Sequence, residues 1–457
     1  MQIYNTLTQQ KAPLETVEPG KVKMYVCGMT VYDYCHLGHA RVLVAFDVIA
    51  RYLRHAGYEL TYVRNITDID DKILARANEN GEPFDALTKR MIEAMHEDEA
   101  RLGVQRPDHE PCATEFIQEI IDMIQVLVEK EHAYQASNGD VYFAVESFDG
   151  YGKLSKKKLE DLLAGARVDV EAAKRSPADF ALWKSAKPGE VSWSSPWGDG
   201  RPGWHIECSA MSTKCLGETF DIHGGGPDLM FPHHENEIAQ SEAATGKPFV
   251  KQWMHAGAVR VNKEKMSKSL GNFFTIREVL ETHDPEVVRL FLVSSHYRSQ
   301  IDYSEDSLEQ AKASLDKFYH ALRGIEPVEN GSSHYDDEFE AAMADDFNTA
   351  EATTVLHAVA NGINRAKRSG AMEEARALAG TLKRFGRVLG LFERDPEAYF
   401  KAELDDLSEA DIELLIQQRA DAKRNKDFAA ADRIRDELQE KGIVLEDSRE
   451  GTTWRRA

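Results

Sequence analysis

Cys27-Gly28-Met29-Thr30-Val31-Tyr32-Asp33-Tyr34-Cys35-His36-Leu37-Gly38-His39 joins a short strand-forming run, Val22 to Val26, to a strongly apolar helical run, Ala40 to Leu53. A second strand-like run follows at Glu59-Leu60-Thr61-Tyr62-Val63, so the pattern is a βαβ unit with parallel strands. Ligands of such sheets bind at the carboxyl ends of the strands, where this loop falls. It carries a thiol, Cys27, and two imidazoles, His36 and His39, on either side of a glycine.

Outward from that loop, the chain of 457 residues is too long for one core and predicts two to four domains. An apolar fraction of 42% with 29% charged residues describes a globular chain, and no apolar run is long enough for a membrane span. The start, Met1 to Pro13, lacks the basic-then-apolar pattern of a signal peptide, so the expected location is the cytoplasm. Five cysteines form an odd, sparse set that argues for reduced thiols rather than a disulfide framework. The formal charge of −22 excludes a generally basic nucleic-acid binder; a polyanionic partner would need a narrow basic track.

Asn65 to Lys72 is a polar stretch that reads either as a pocket lining or as a helix start capped by Thr67 or Asp68. Phe116 to Val128 has helical periodicity, Asp140 to Phe148 alternates like a strand, and Tyr151 to Ser195 reads as an insertion between two halves of a sheet. Order returns at Trp204-His205-Ile206-Glu207-Cys208, then a strand over Thr219 to His223 and a helix from Pro232 to about Ala244. Trp253 to Asn262 reads as strand or hairpin, and helices dominate from Pro285 with breaks near Gly324 to Asp336 and Asp395 to Leu407.

His233 and Glu237 lie four apart at a helix start, so their side chains share a face and can serve one ion. His234-Glu235 is followed by Ile238 rather than the second histidine of a zincin helix. Thiol, imidazole and carboxylate together suit zinc. Cys27 and Cys208 are the best thiol candidates, since each ends or follows an expected strand pointing the same way. Ordinary buried cysteines and a helix-end histidine fit the same pattern. At the other constellation, His36-Leu37-Gly38-His39 opens a helix whose free N–H groups would favour phosphate. Lys265 and Lys268 stand on a serine-rich loop able to fold over polyphosphate, Gly224 to Gly226 lets backbone pass close to a sugar or base, and Asp228 can accept from ribose hydroxyls.

Taken together, these stretches resemble the class I aminoacyl-tRNA synthetases. His36-Leu37-Gly38-His39 matches the HIGH motif with leucine for isoleucine, and Lys265-Met266-Ser267-Lys268-Ser269 matches KMSKS letter for letter. Within the class the chain is similar to the cysteinyl-tRNA synthetase family, on Cys27 to Arg41, Asn65 to Lys72, Gly203 to Met211, Asp221 to Glu242 and Gly442 to Arg456.

The resemblance implies an α/β fold: a Rossmann-type parallel-sheet catalytic domain split by an insertion, a helical bundle and a small C-terminal domain. The boundaries expected are 1–120 and 201–245 for the catalytic halves, 121–200 for the insertion, 246–305 for the KMSKS region, 306–395 for the bundle and 396–457 for the last domain. It implies a zinc ion on Cys27, Cys208, His233 and Glu237, and ATP with Mg²⁺ on His36, Gly38, His39, Gly225, Asp228, Lys265, Ser267 and Lys268. His36, His39, Lys265 and Lys268 are the expected catalytic residues. Gly28, Thr67, Trp204 and His223 are expected around the substrate cysteine. The implied activity forms cysteinyl-adenylate and passes cysteine to the terminal ribose of tRNA(Cys), with a monomer as the working unit. Four protein ligands describe a closed zinc site, so substrate thiol would add a fifth ligand or make Glu237 recede.

In the C-terminal tail, Lys423-Arg424-Asn425-Lys426 and Arg455-Arg456 are basic clusters, Trp454 is a candidate base-stacking ring, and Asp432 and Asp447 are candidate acceptors for base amino groups. Two rivals share parts of the pattern: a cysteine:amino-sugar ligase of mycothiol synthesis, which has no reason to keep Leu415 to Ala457, and a non-catalytic zinc- or tRNA-binding relative, which has no reason to keep both motifs.

Overall fold

The computed structural model describes every residue except 161–172, 267–271, 329–332, 402–408, 426, 448–450 and 457. Two compact units result, one made of Met1–Ala313, His334–Val355 and Val388–Leu391, the other of Ser314–Ser333, Leu356–Arg387 and Phe392–Ala457.

The first unit opens with an antiparallel pair, β1 (Gln2–Asn5) and β2 (Gln10–Pro13). The βαβ unit follows as β3 (Lys21–Val26), α1 (Leu37–His55) and β4 (Glu59–Arg64). The strands are parallel and in register from Lys21 opposite Glu59 to Val26 opposite Arg64. Leu37, Ala40, Val44, Phe46, Val48, Ile49 and Leu53 bury α1 almost all round, and its basic last turn, Arg54 and His55, complements the helix dipole.

Three helices come next, α2 (Asp71–Asn80), α3 (Phe84–Arg101) and α4 (Ile117–Glu129). The cap of α2 is Asp70, whose carboxylate accepts from the Lys72 amide, not Thr67 or Asp68. Thr67 instead bridges to Thr30, and Asp68 accepts from Thr114. The insertion holds an antiparallel sheet of β5 (Ala133–Gln135), β6 (Val141–Phe143), β7 (Phe180–Ser185) and β8 (Gly200–Pro202) in that order. The strand expected to reach Phe148 stops at Phe143, because Val145–Ser147 turns as a 3₁₀ helix.

α5 (Trp204–Leu216), β9 (Phe220–Gly225), α6 (His233–Thr245) and β10 (Val250–His255) complete a four-stranded, all-parallel sheet ordered β10-β9-β3-β4. Cys208 therefore lies in the second turn of a helix and not at a strand end. Ile206 and Ala210 of α5 enter the insertion's core while Cys208 and Met211 enter the core beneath the parallel sheet. A helix buried on two sides has no single apolar stripe, and the spacing of Trp204, Ile206 and Cys208 imitates a strand. Gly224 of β9 exists for packing: a Cβ there would meet the Phe46 ring at 2.2 Å.

A smaller sheet, ordered β12-β11-β13, contains β11 (Val259–Val261), β12 (Glu264–Lys265) and β13 (Ile301–Tyr303). Asn262 and Lys263 both have positive φ, as a type I′ hairpin turn requires. The second unit is helical and ends in a module of two helices, Glu409–Arg424 and Phe428–Glu440, with a hairpin of β14 (Ile443–Asp447) and β15 (Thr452–Arg456). Its core is Ile412, Ile416, Leu438, Ile443 and Trp454.

Candidate metal centre and nucleotide site

The carboxyl end of β3 delivers Cys27, α5 delivers Cys208, and the first two turns of α6 deliver His233 and Glu237. One ligand atom from each lies within 4.8 Å of every other, and all four residues are buried. The two sulfurs are 3.7 Å apart, Cys27 Sγ is 3.3 Å from Glu237 Oε1, and His233 Nε2 is 3.1 Å from the same oxygen. A tetrahedral zinc with ordinary bond lengths requires edges of about 3.8 Å for sulfur–sulfur, about 3.6 Å for sulfur–oxygen and about 3.4 Å for nitrogen–oxygen. All three spacings come within a few tenths of an ångström of that, so the donor set fits the ion in chemistry and size. A second grouping, Cys27, His223, His234 and Glu237, shares two members but has only one thiol.

Behind the ligands lies a layer of histidines. His223 Nε2 is 2.8 Å from Glu237 Oε2, with its ring stacked on Trp253 at 4.5 Å. Both His223 and Glu237 are fully buried, and His223 stands behind the carboxylate. His233 Nδ1 is 2.9 Å from His205 Nδ1, and His234 Nδ1 is 2.8 Å from His255 Nε2. Without metal, burial opposes every charge here, yet His233 is raised to about 10 by Glu237 and Cys208, and Glu237 is lowered to about 2 by His223 and His233. Burial, then the neighbouring imidazoles, keeps His205, His234 and His255 neutral.

Trp204 is 37% exposed, its ring 4.3 Å from that of His233 at the mouth of the centre. Trp204 and His205 also line an open, polar cavity of about 840 Å³ shared with Asp70, Lys184 and Arg201. Gly28 is locked against the next strand's loop: a Cβ would fall 1.6 Å from the Asn65 carbonyl oxygen, and its amide donates to Asn65 Oδ1 at 2.8 Å. Thr67 is buried, its hydroxyl donating to Glu207 Oε2 at 3.2 Å. The Asn65 and Glu207 roles escaped the sequence reading; the polar stretch around Asn65 was their one visible signal.

His36 caps α1 with its own ring. Nδ1 accepts from the amides of Gly38 at 3.0 Å and His39 at 3.3 Å, while the His36 amide donates to His39 Nδ1 at 3.2 Å. The amides expected to be free for phosphate are thus taken by His36. The exchange leaves each neutral ring with its proton on Nε2, and the rings stack at 3.7 Å. Burial and then His36 hold His39 well below the usual histidine range. Phe273 meets the His36 ring edge-on at 5.0 Å, and the Leu37 amide donates to the Phe274 carbonyl. Met266 reaches the Gly38 backbone, so the start of the KMSKS stretch lies beside the HIGH stretch. Ser267 and Lys268 fall outside the described residues, and only the backbone of Lys265, in β12, is described. Gly225 faces His234, and Asp228 is exposed in a turn next to Gly226.

In the C-terminal module Trp454 is 2% exposed and its indole N–H donates to Glu413, so it is a core residue and cannot stack on a base. Asp447 is also committed, accepting from Arg419, Lys423 and Thr452, and Asp432 pairs with Arg435.

The family of class I (C) tRNA synthetase catalytic domains matches residues 13–313, a DALR domain matches 338–393, and the cysteinyl-tRNA ligase anticodon binding domain matches 405–455. The chain is 71% identical to the cysteine–tRNA ligase of Marinobacter nauticus, with 100% of each chain covered. It is 65% identical to that of Chromohalobacter salexigens, over 99% of each. Among solved structures it is similar in fold to Mycobacterium tuberculosis methionyl-tRNA synthetase in complex with methionyl-adenylate, with a TM-score of 0.59, 14% identity and coverage of 81% of this chain and 89% of that one. No helix among the described residues is long and apolar enough to cross a membrane.

Proposed function

The chain belongs to the cysteine–tRNA ligases, class I aminoacyl-tRNA synthetases that join cysteine to tRNA with ATP, and on that premise we propose how its residues divide the work. The observation that carries the proposal is the convergence of two thiols, an imidazole and a carboxylate within 4.8 Å at the end of β3, one loop away from His36 and His39. Zinc on Cys27, Cys208, His233 and Glu237 would supply a soft Lewis acid that favours a substrate thiolate over a hydroxyl or methyl group. Apolar walls alone separate side chains differing by one small group by only about 1–3 kcal/mol; a metal–thiolate bond would supply the rest, so that no separate editing domain is needed. His223 pins Glu237 from behind, so the carboxylate keeps its place when cysteine arrives. X-ray absorption should then count one more sulfur and no fewer nitrogen or oxygen neighbours after cysteine is added. An unchanged sulfur count would overturn this.

ATP, accompanied by Mg²⁺, would lie across His36, Gly38 and His39, with Gly225 and Asp228 on the nucleoside side and Lys265, Ser267 and Lys268 on the phosphates. The cysteine carboxylate attacks the α-phosphorus, and pyrophosphate leaves with the bridging oxygen. The paired imidazoles, each with an Nε2–H, donate to phosphate oxygens as charge builds while remaining neutral. No protein nucleophile takes part, and catalysis is positioning plus charge stabilisation. The cysteinyl group then passes to the 2′-hydroxyl of the terminal ribose, releasing AMP. The helical segment 306–395 and the module 396–457 would hold the anticodon arm. The working unit is a single chain in the cytoplasm, where Cys27 and Cys208 stay reduced. Charging of purified tRNA(Cys) with radiolabelled cysteine tests the reading. Cysteine-dependent pyrophosphate exchange without charging would favour an amino-sugar ligase instead.

A further inference from the structure

The helix that carries Cys208 holds a second group with no part in the metal centre. Glu207 is buried and directed by a one-way hydrogen-bond chain. The Gly28 amide donates to Asn65 Oδ1, Asn65 Nδ2 donates to Thr67 Oγ1 at 3.4 Å, and the Thr67 hydroxyl donates to Glu207 Oε2 at 3.2 Å. Every donor in the chain points the same way, so Glu207 receives from Thr67 on Oε2. Its other oxygen, Oε1, is buried without a partner. Among the described residues no lysine, arginine or histidine pairs with it, and its charged neighbours are Cys208, Asp70 and Asp68, all anionic when ionised. A buried carboxylate with a vacant acceptor and no countercharge is the expected setting for a cationic group brought by a ligand.

We propose that Glu207, oriented by Asn65 and Thr67, binds the α-ammonium of the substrate cysteine. This rests on the reading that cysteine is held by its thiol at the Cys27–Cys208 centre. Three bonds separate the thiol sulfur of cysteine from its ammonium nitrogen, so the ammonium must land within a few ångströms of the thiol ligands. Glu207 is the residue next to Cys208, and Trp204, Glu207 and Cys208 follow the i, i+3, i+4 spacing of one helix face. Trp204 marks the open side of that face, against the ring of His233. Glu207 is no more enclosed than Cys208 or Glu237, so whatever movement admits the thiol to its ligands also admits the ammonium to Glu207. The fit selects an amino acid over a simple thiol: the metal centre reads sulfur, and Glu207 reads the amine.

The test is Glu207→Gln in the full chain, which keeps an acceptor for Thr67 and removes the negative charge. Cysteine-dependent ATP–pyrophosphate exchange should show the KM for cysteine raised at least tenfold, with the KM for ATP and the zinc content unchanged. Inhibition by 3-mercaptopropionate, which has the thiol and carboxylate but no amine, should change less than twofold, so the gap between the two compounds shrinks. Glu207→Asp, which keeps the negative charge but withdraws it by one methylene, should move the same ratio in the same direction by a smaller factor and covers the case in which Glu207→Gln fails to fold. Equal weakening of both compounds, loss of zinc, or an unchanged cysteine KM would overturn the proposal. If wild-type protein with bound zinc activates no cysteine, the functional reading itself has failed, and that result is distinguishable from all of these.

Discussion

Replacing His223 by Phe removes one hydrogen bond behind the metal centre and little else. The new ring keeps the stack on Trp253, 4.5 Å away, and is somewhat larger than imidazole. What is lost is the 2.8 Å contact from His223 Nε2 to Glu237 Oε2, between two fully buried side chains. Partners of this kind behind a ligating carboxylate change metal affinity by about 10–100-fold, or about 1.4–2.7 kcal/mol. A hydrogen bond to a charged group carries a similar net worth, about 1.5–3 kcal/mol, so two independent routes agree near 2 kcal/mol. Competition against a chromogenic chelator at pH 7.5 should therefore give a zinc Kd at least tenfold weaker than wild type. At a fixed saturating level of free zinc, the extra stability conferred by metal should fall by the same free energy. The metal-free variant should also melt lower, since Glu237 Oε2 is left buried and unpaired. A zinc affinity within twofold of wild type would refute the claim that His223 acts through Glu237.

Gly224→Ala should cost about 1–3 kcal/mol by overpacking, because the new methyl meets the Phe46 ring; chemical denaturation should show recovery in Gly224→Ala/Phe46→Leu if that clash is the cause. Trp454→Ala should cost about 3–5 kcal/mol within the C-terminal module, abolishing tRNA charging while cysteine-dependent pyrophosphate exchange persists; Trp454→Leu, which fills the core but cannot stack, should retain tRNA affinity if the ring packs rather than reads a base. His255, pushed down to about 3 by burial and then by His223, stays neutral in the fold but gains a proton near 6.5 when unfolded. The unfolded chain therefore binds more protons as pH drops below that point, and stability falls by up to about 1.4 kcal/mol per pH unit. Melts of metal-free protein between pH 8 and 5 should show this loss, with a shallower slope in His255→Gln.

The parallel βαβ unit was legible because each of its elements carries one unambiguous signal: strand-forming runs at Val22 and Glu59, and an apolar helix between them long enough to cross back over the sheet. The approach of His233 to Glu237 was legible because helical spacing alone puts residues four apart on one face. Cys208 was found as a residue but misplaced as a structure, since α5 buries one face against the insertion and the other against the parallel sheet. Double burial erases the 3.6-residue stripe from which a helix is read. Trp454 failed for the opposite reason: a tryptophan between basic residues fits a stacking platform, and only the packing of Ile412, Leu438 and Ile443 around it settles that it is core.

The nucleotide site shows where motif reading stops. Two histidines flanking a glycine at a helix start suggest free amides for an anion, but a histidine, unlike an alanine, can cap the helix it begins. His36 takes the Gly38 and His39 amides on Nδ1, and His39 takes the His36 amide in return. The same bonds that remove three backbone donors leave each neutral ring with its proton on Nε2, so the site trades amide donors for imidazole donors farther from the backbone. That exchange needs the His-x-x-His spacing and a residue between them without a Cβ, since one on Gly38 would fall 2.7 Å from the His36 ring. The motif's glycine is therefore required by the histidine beside it, whatever the nucleotide demands. Cys27, nine residues before His36, carries the chain from the candidate metal centre into this cap, so on the proposed reading the loop's length sets how far apart cysteine and ATP are held.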